Sequence, residues 1–95
     1  GISGRIAQKV GQSLKSLASS HQIIAITHLP QIAGFSDFHF SVEKKKIGDR
    51  VVSSIRLLDN EDRIKEVAKL ISGENISESA INGAKELLGY SVINK

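Results

Sequence analysis

Cysteine, methionine and tryptophan are absent from this 95-residue chain, proline occurs once, and the aromatics are only Phe35, Phe38, Phe40 and Tyr90. Without cysteine there is no disulfide framework and no thiolate metal site. That absence leans towards a reducing, cytosolic setting. With so few rings, the core has to be built from Ile, Leu, Val and Ala. Long hydrophobic runs are missing too: the longest, Ile23–Ile26, is far too short to cross a membrane. The first residues hold no apolar signal-peptide core. Neither sign of charge dominates. Thirteen basic residues against ten acidic ones give +3, which permits an anionic partner without demanding one.

What is present reads as soluble and globular: 40% of residues are apolar and 24% charged, well away from a disordered composition. The length suits one small domain, residues 1–95, with a modest core. The missing methionine and the first residue, Gly1, are compatible with a piece of a longer protein.

Ile6, Val10, Leu14 and Leu17 recur at helical spacing, so an amphipathic helix is expected from about Gly4 to Ser20 with those four residues as its buried face. Ser3 is placed to cap it. Gln22–Thr27 follows as a strand. Its run Ile23-Ile24-Ala25-Ile26 does not alternate, which is the pattern of a central parallel strand covered on both faces. Pro30 suits the first turn of a helix, kept short by Gly34. Phe38, Phe40 and Val42 alternate with His39, Ser41 and Glu43, as in a half-buried strand. Val51–Leu58 reads as its hairpin partner, with Lys44–Arg50 as the connection and Gly48-Asp49 in the loop. Asn60-Glu61-Asp62 starts a helix with Ile64, Val67, Ala68 and Ile71 on its apolar face, ended by Gly73. Ser77 caps a last helix carrying Ala80, Ile81, Ala84, Leu87 and Leu88, with Gly83 weakening its middle and Gly89 ending it.

Four features carry candidate chemistry. His28 sits just past the expected strand, where ligands collect in open α/β sheets. Its imidazole is suited to a phosphate oxygen or a nucleophilic water, or to a plain backbone contact at a strand end. Gly1-Ile2-Ser3-Gly4 offers free amides before a helix, and by itself reads as an ordinary cap. Lys44-Lys45-Lys46 suits nucleic-acid phosphates. The lack of aromatic or arginine interleaving favours a solvated edge that discourages strand aggregation. His21 and His39 fit a loop and an outward strand face, without acids at zinc-ligand spacing. Neither a Walker A phosphate loop nor a nucleophile elbow occurs in the sequence.

The stretches GISGRIAQKVGQSL, HQIIAITHLPQIAGFSDFHFSVEK and LISGENISESAINGAKELL together resemble the C-terminal end of the bacterial RecN family of DNA-repair ATPases. These are relatives of the structural-maintenance-of-chromosomes proteins with ABC-type heads. THLPQIA after an apolar strand, preceded at this distance by GISGRIA, is the specific part. The resemblance implies an α/β fold, the C-terminal portion of an ABC-type P-loop ATPase head, with a central strand, a β-hairpin and flanking helices. It implies that Gly1–Gly4 ends the D-loop, with Ser3 at its turn, across the interface between two heads. It makes His28 the catalytic switch histidine that contacts the γ-phosphate and the attacking water, with Gln31 close behind it. Ser3, His28 and Gln31 are thus the expected nucleotide-binding residues.

ATP, Mg2+, DNA and a second head are the implied partners of the intact protein, which would act in double-strand break repair and recombination in the cytoplasm, at the bacterial nucleoid, away from membranes. The phosphate loop, Q-loop, coiled coil, signature motif and catalytic glutamate are not in these 95 residues. The chain alone is therefore expected to bind no cofactor, to show little or no ATPase activity, and to oligomerise through exposed strand edges. The rival reading is an autonomous, non-catalytic α/β interaction module whose hairpin and last helices bind protein or nucleic acid.

Overall fold

Side-chain caps define where the chain turns helical in the computed structural model, which describes residues 3–90. Ser3 Oγ accepts from the Ile6 amide at 3.3 Å and opens α1, Gly4–Leu17. Asp59 accepts from Asp62 N at 2.8 Å and opens α3, Asn60–Ser72. Ser77 accepts from Ala80 N at 3.1 Å and opens α4, Glu78–Leu87. Each cap satisfies an amide that the first turn leaves without a helical partner. The four-residue α2, Pro30–Ala33, instead starts on its proline behind an extended Leu29. Gly1 and Ile2 of the GISG turn lie outside the described residues.

Between α2 and α3 stands an antiparallel hairpin, β1 (Phe40–Ile47) and β2 (Arg50–Leu57), with Ile47 opposite Arg50 and Phe40 opposite Leu57. Its loop is only Gly48-Asp49, and Gly48 has φ +62°. A two-residue hairpin loop needs a left-handed position of this kind, which glycine takes at no steric cost. Lys44–Ile47 and Arg50 therefore belong to the strands, not to a long connection. The apolar alternation is real, since Phe40, Val42, Ile55 and Leu57 share one face of the ladder. That face is not half-buried, however: all four are exposed, and Phe38 before them is 72% exposed. Neither strand packs on a helix among the described residues. The hairpin is held at its base, where Arg56 pairs with Asp62 at 2.8 Å and Leu58 N donates to the His39 carbonyl at 2.9 Å.

The core lies where α2, α3 and α4 meet. Ala33, Val67, Ala68, Ala80 and Ala84 are buried together, flanked by Ile64, Leu70, Ile76, Ile81, Leu87 and Leu88. Both faces expected of α3 and α4 contribute, except that Ile71, whose Cδ1 lies beside Gly83 of α4, stays partly exposed. Val67 is the one large side chain fully buried among the described residues.

Two expected elements differ. The helix α1 forms, but it buries Ala7 and Gly11 and leaves Ile6, Val10 and Leu17 exposed. Its only helix partner among the described residues is the short α2, which it approaches on its small-residue side. The expected central strand Gln22–Thr27 takes no strand partner, and the single sheet among the described residues is the hairpin. Ile24 is 86% and Ile26 fully exposed. A run that pairs as a parallel strand needs neighbours reached through crossovers, and the described residues supply none.

Candidate functional site

The short helix α2 touches α1, α3 and α4, and the candidate residues gather around its first turn. Thr27 Oγ1 accepts from Leu29 N at 3.0 Å, closing a turn over His28. The Leu29 carbonyl then accepts from Ile32 N and Ala33 N at 3.1 and 3.0 Å. With Pro30 fixing its own φ at the first helical position, the backbone on both sides of His28 is pinned. Its side chain is exposed and makes no hydrogen bond among the described residues.

Gln31 is half-buried and reaches the start of α1. A Cβ placed on Gly4 would lie 3.0 Å from Gln31 Nε2, so the amide rests against the Ser3–Gly4 turn because residue 4 has no side chain. Two helical turns further, a Cβ on Gly11 would overlap the Phe35 ring and come within 3.3 Å of the Gln31 carbonyl. The spacing Gly4, Ala7, Gly11 makes α1 a flat face against α2. That G-x-x-A-x-x-x-G pattern was the readable signal for this contact, and the larger residues beside it masked it. The structure thus brings Gln31 to Ser3–Gly4. It sets His28 on the turn three residues before Gln31, without a hydrogen bond between His28 and Ser3. A hydroxyl, a carboxamide and an imidazole are each hydrogen-bond donors suited to an oxyanion.

The frame around α2 is tied by side chains. Arg63 of α3 donates through Nη2 to the Ser36 carbonyl, and to Ser36 Oγ at 2.9 Å. Lys15 pairs with Asp37. Residues Gly11, Leu14, Ile24, Phe38, Val42 and Leu70 help line an open cavity of about 1250 Å3. At its edge, His39 Nδ1 is buried without a hydrogen-bond partner among the described residues. Burial holds the His39 pKa below its ordinary value, the Arg63 charge adds to this, and Glu66 opposes it. The folded chain therefore binds fewer protons than the unfolded chain as pH falls below about 6.5. Stability is full above that value and falls as pH drops through the lowered pKa. Urea midpoints taken downward from about pH 7 should show this loss, and His39→Gln should remove this part of the acid dependence. A profile unchanged by the substitution would refute the assignment.

Among the described residues no three His, Cys, Asp or Glu are grouped to hold a metal ion, and no helix is long and apolar enough to cross a membrane.

No protein-family model matches the chain. Individual relatives do. It is 42% identical over 92 residues to the DNA repair protein RecN of Rickettsia bellii, which is 97% of this chain and 17% of that protein. It is 43% identical over 88 residues to RecN of Deinococcus radiodurans, 93% of this chain and 15% of that protein. It is 38% identical over 88 residues to RecN of Halalkalibacterium halodurans, 93% and 16%. The chain spans about a sixth of the length of the curated relatives it matches. With nearly every residue aligned, and with the α/β arrangement of helices and a hairpin described above, the chain belongs to the RecN family of DNA repair proteins and matches its C-terminal part.

Proposed function

We propose that this chain serves DNA double-strand break repair and recombination as the C-terminal lobe of a RecN-type ATPase head. In this reading, Ser3 and His28 belong to an ATP site shared between two heads. The observation that carries the reading is the meeting of the Ser3–Gly4 turn with Gln31, three residues along the chain from the exposed His28. These are the residues that have to converge if a D-loop end and a switch histidine serve one nucleotide.

The roles follow from the groups. His28, held by a pinned backbone with a free imidazole, donates to a γ-phosphate oxygen or orients the attacking water. Gln31 fixes the approach of α1, and so positions Ser3, at the surface where a second head docks. ATP binding joins the heads and hydrolysis releases them. The residues present do not make a cradle for the phosphates or for Mg2+: the sequence has no phosphate loop, and no carboxylate cluster lies among the described residues. No metal-dependent step is assigned to this chain. Phosphoryl transfer rests on positioning and electrostatics from many parts at once, so these residues act only as one wall of a site completed elsewhere in the protein. Such a head works in the cytoplasm, on nucleoid DNA.

What supports this over an autonomous interaction module is the poor closure of the chain on itself. Its radius of gyration is 14.7 Å, against about 12 Å for a compact domain of this length, and its most apolar segment faces solvent.

The test uses the full-length protein that carries this sequence. His28→Ala is expected to lower ATP turnover at least about ten-fold, about 1.4 kcal/mol of barrier, while ATP affinity stays within about three-fold, the signature of a contact made mainly in the transition state. Near-normal turnover would remove His28 from the site.

A further inference from the structure

The net charge of this chain is concentrated in one place. Of thirteen basic and ten acidic residues, four and one lie in Lys44–Arg50, leaving nine of each elsewhere. The excess of +3 therefore sits on seven residues at the tip of the hairpin. Lys44, Lys45, Lys46 and Arg50 are all exposed, and none forms an ion pair among the described residues. The ladder register places Lys44 and Lys46 on one face and Lys45 with Arg50 on the other. The strands pack on no helix among the described residues, so the tip stands out as a two-stranded ribbon with cations on both sides.

We propose that the tip of the β1–β2 hairpin is a duplex-DNA contact, in which Lys44, Lys45, Lys46 and Arg50 neutralise backbone phosphates along a groove. Several features point to the duplex. A two-stranded antiparallel ribbon is of a size that the major groove admits. Cations on both faces meet phosphates on both walls of a groove, whereas a flat surface needs only one charged face. At about 3.4 Å of rise per residue, Lys44 and Lys46 on one face stand about 7 Å apart, the axial advance of two phosphates on one DNA strand, so the cations of a face keep pace with alternate phosphates. The tip has no Phe, Tyr or Trp, the platforms on which single-stranded bases stack. Three of the four cations are lysines, point charges without a bidentate fork, and all four are placed on phosphates, so the contact is sequence-independent. Edge protection alone calls for charge on the outer strand edge; it does not call for the whole net charge of the chain at the tip.

This inference rests on the DNA-repair reading, and its test is separate from that of His28. Binding of the nucleotide-free, full-length protein to a labelled mixed-sequence duplex is measured from about 50 to 200 mM salt. In K44A/K45A/K46A/R50A the slope of log affinity against log salt should fall in magnitude by about three to four, and affinity at the low-salt end by more than about ten-fold. K44R/K45R/K46R should keep the slope. If the quadruple variant does not fold, Lys45→Gln alone decides, with an expected loss of about one unit of slope. An unchanged slope in a folded variant overturns the proposal, as does an equal loss of single-strand binding, or a wild-type protein that does not bind the duplex. His28→Ala is read in turnover and the hairpin variants in duplex binding, so either reading can fail while the other stands.

Discussion

Gly34→Val is expected to lower the stability of the chain by about 3 kcal/mol, at the top of the range for overpacking a fitted site. Gly34 closes α2 with an ordinary right-handed backbone, φ −64°, so backbone freedom is not the reason for glycine there. Space is. A Cβ at this position would meet the Leu87 carbonyl oxygen at 2.8 Å, the Leu87 carbonyl carbon at 3.2 Å and Leu87 Cβ at 3.1 Å. Two of these atoms are main chain and cannot swing aside. The end of α4 has to move off α2 instead, and that seam closes the core formed by Ala33, Val67 and Ala84. Against a typical total of about 5–15 kcal/mol, and with a core made mostly of alanine, the loss is a large part of what there is. The control is Gly83→Ala in the middle of α4. Its Cβ would touch only Ile71 Cδ1 at 3.4 Å, and it gains up to about 1 kcal/mol of helix propensity. Urea unfolding followed by circular dichroism should show the first midpoint falling and the second holding or rising. Equal behaviour of the two would mean that the α2–α4 seam is not closely packed.

The same seam shows which parts of the fold were legible in the residues. Signals that act over three or four residues read correctly. Ser3 and Ser77 cap the helices they precede, Pro30 starts α2, Gly73 ends α3, and Gly48 sits in the hairpin loop. Each is satisfied by atoms close in the chain, so no partner has to be known. Burial was harder to read, because it depends on what else is present. The stripe Ile6, Val10, Leu17 has the right period for a buried face, yet α1 turns Ala7 and Gly11 inward, since close approach to α2 selects for small side chains over large ones. The juxtaposition of Gln31 with Gly4 followed from that packing, whose one trace in the sequence is the small-residue spacing Gly4, Ala7, Gly11. Lys44–Lys46 read as a loop because three lysines have low strand propensity. The register imposed by a two-residue turn overrides that preference.

Gln22–Thr27 is where sequence and structure part most widely, and the difference yields the largest expected contrast. With Ile24 and Ile26 exposed, the double substitution Ile24→Lys/Ile26→Lys in the 95-residue chain should change stability by no more than about 0.5 kcal/mol per site, as for surface positions away from special contacts. In the full-length protein the expectation reverses. A non-alternating apolar run is the mark of a strand covered on both faces, and a lysine forced into such a site is a buried, unpaired charge, a change that belongs to the small class with effects of about 4–5 kcal/mol or more. The full-length variant should then fail to accumulate as folded protein, or lose its cooperative melting transition and, with it, the ATP turnover proposed above. The reason is positional. Thr27 and Leu29 pin the turn that carries His28, so a segment that cannot seat in a sheet also cannot hold that histidine. Thermal melts of the two proteins, with and without the substitutions, decide the matter. A silent substitution in both would mean that the apolar run is never covered. The sheet placement would then be wrong, and the argument that aims His28 at a nucleotide would lose its physical basis. A tolerant 95-residue chain and an intolerant full-length protein would mean that the isoleucines record a contact made with sequence beyond these residues.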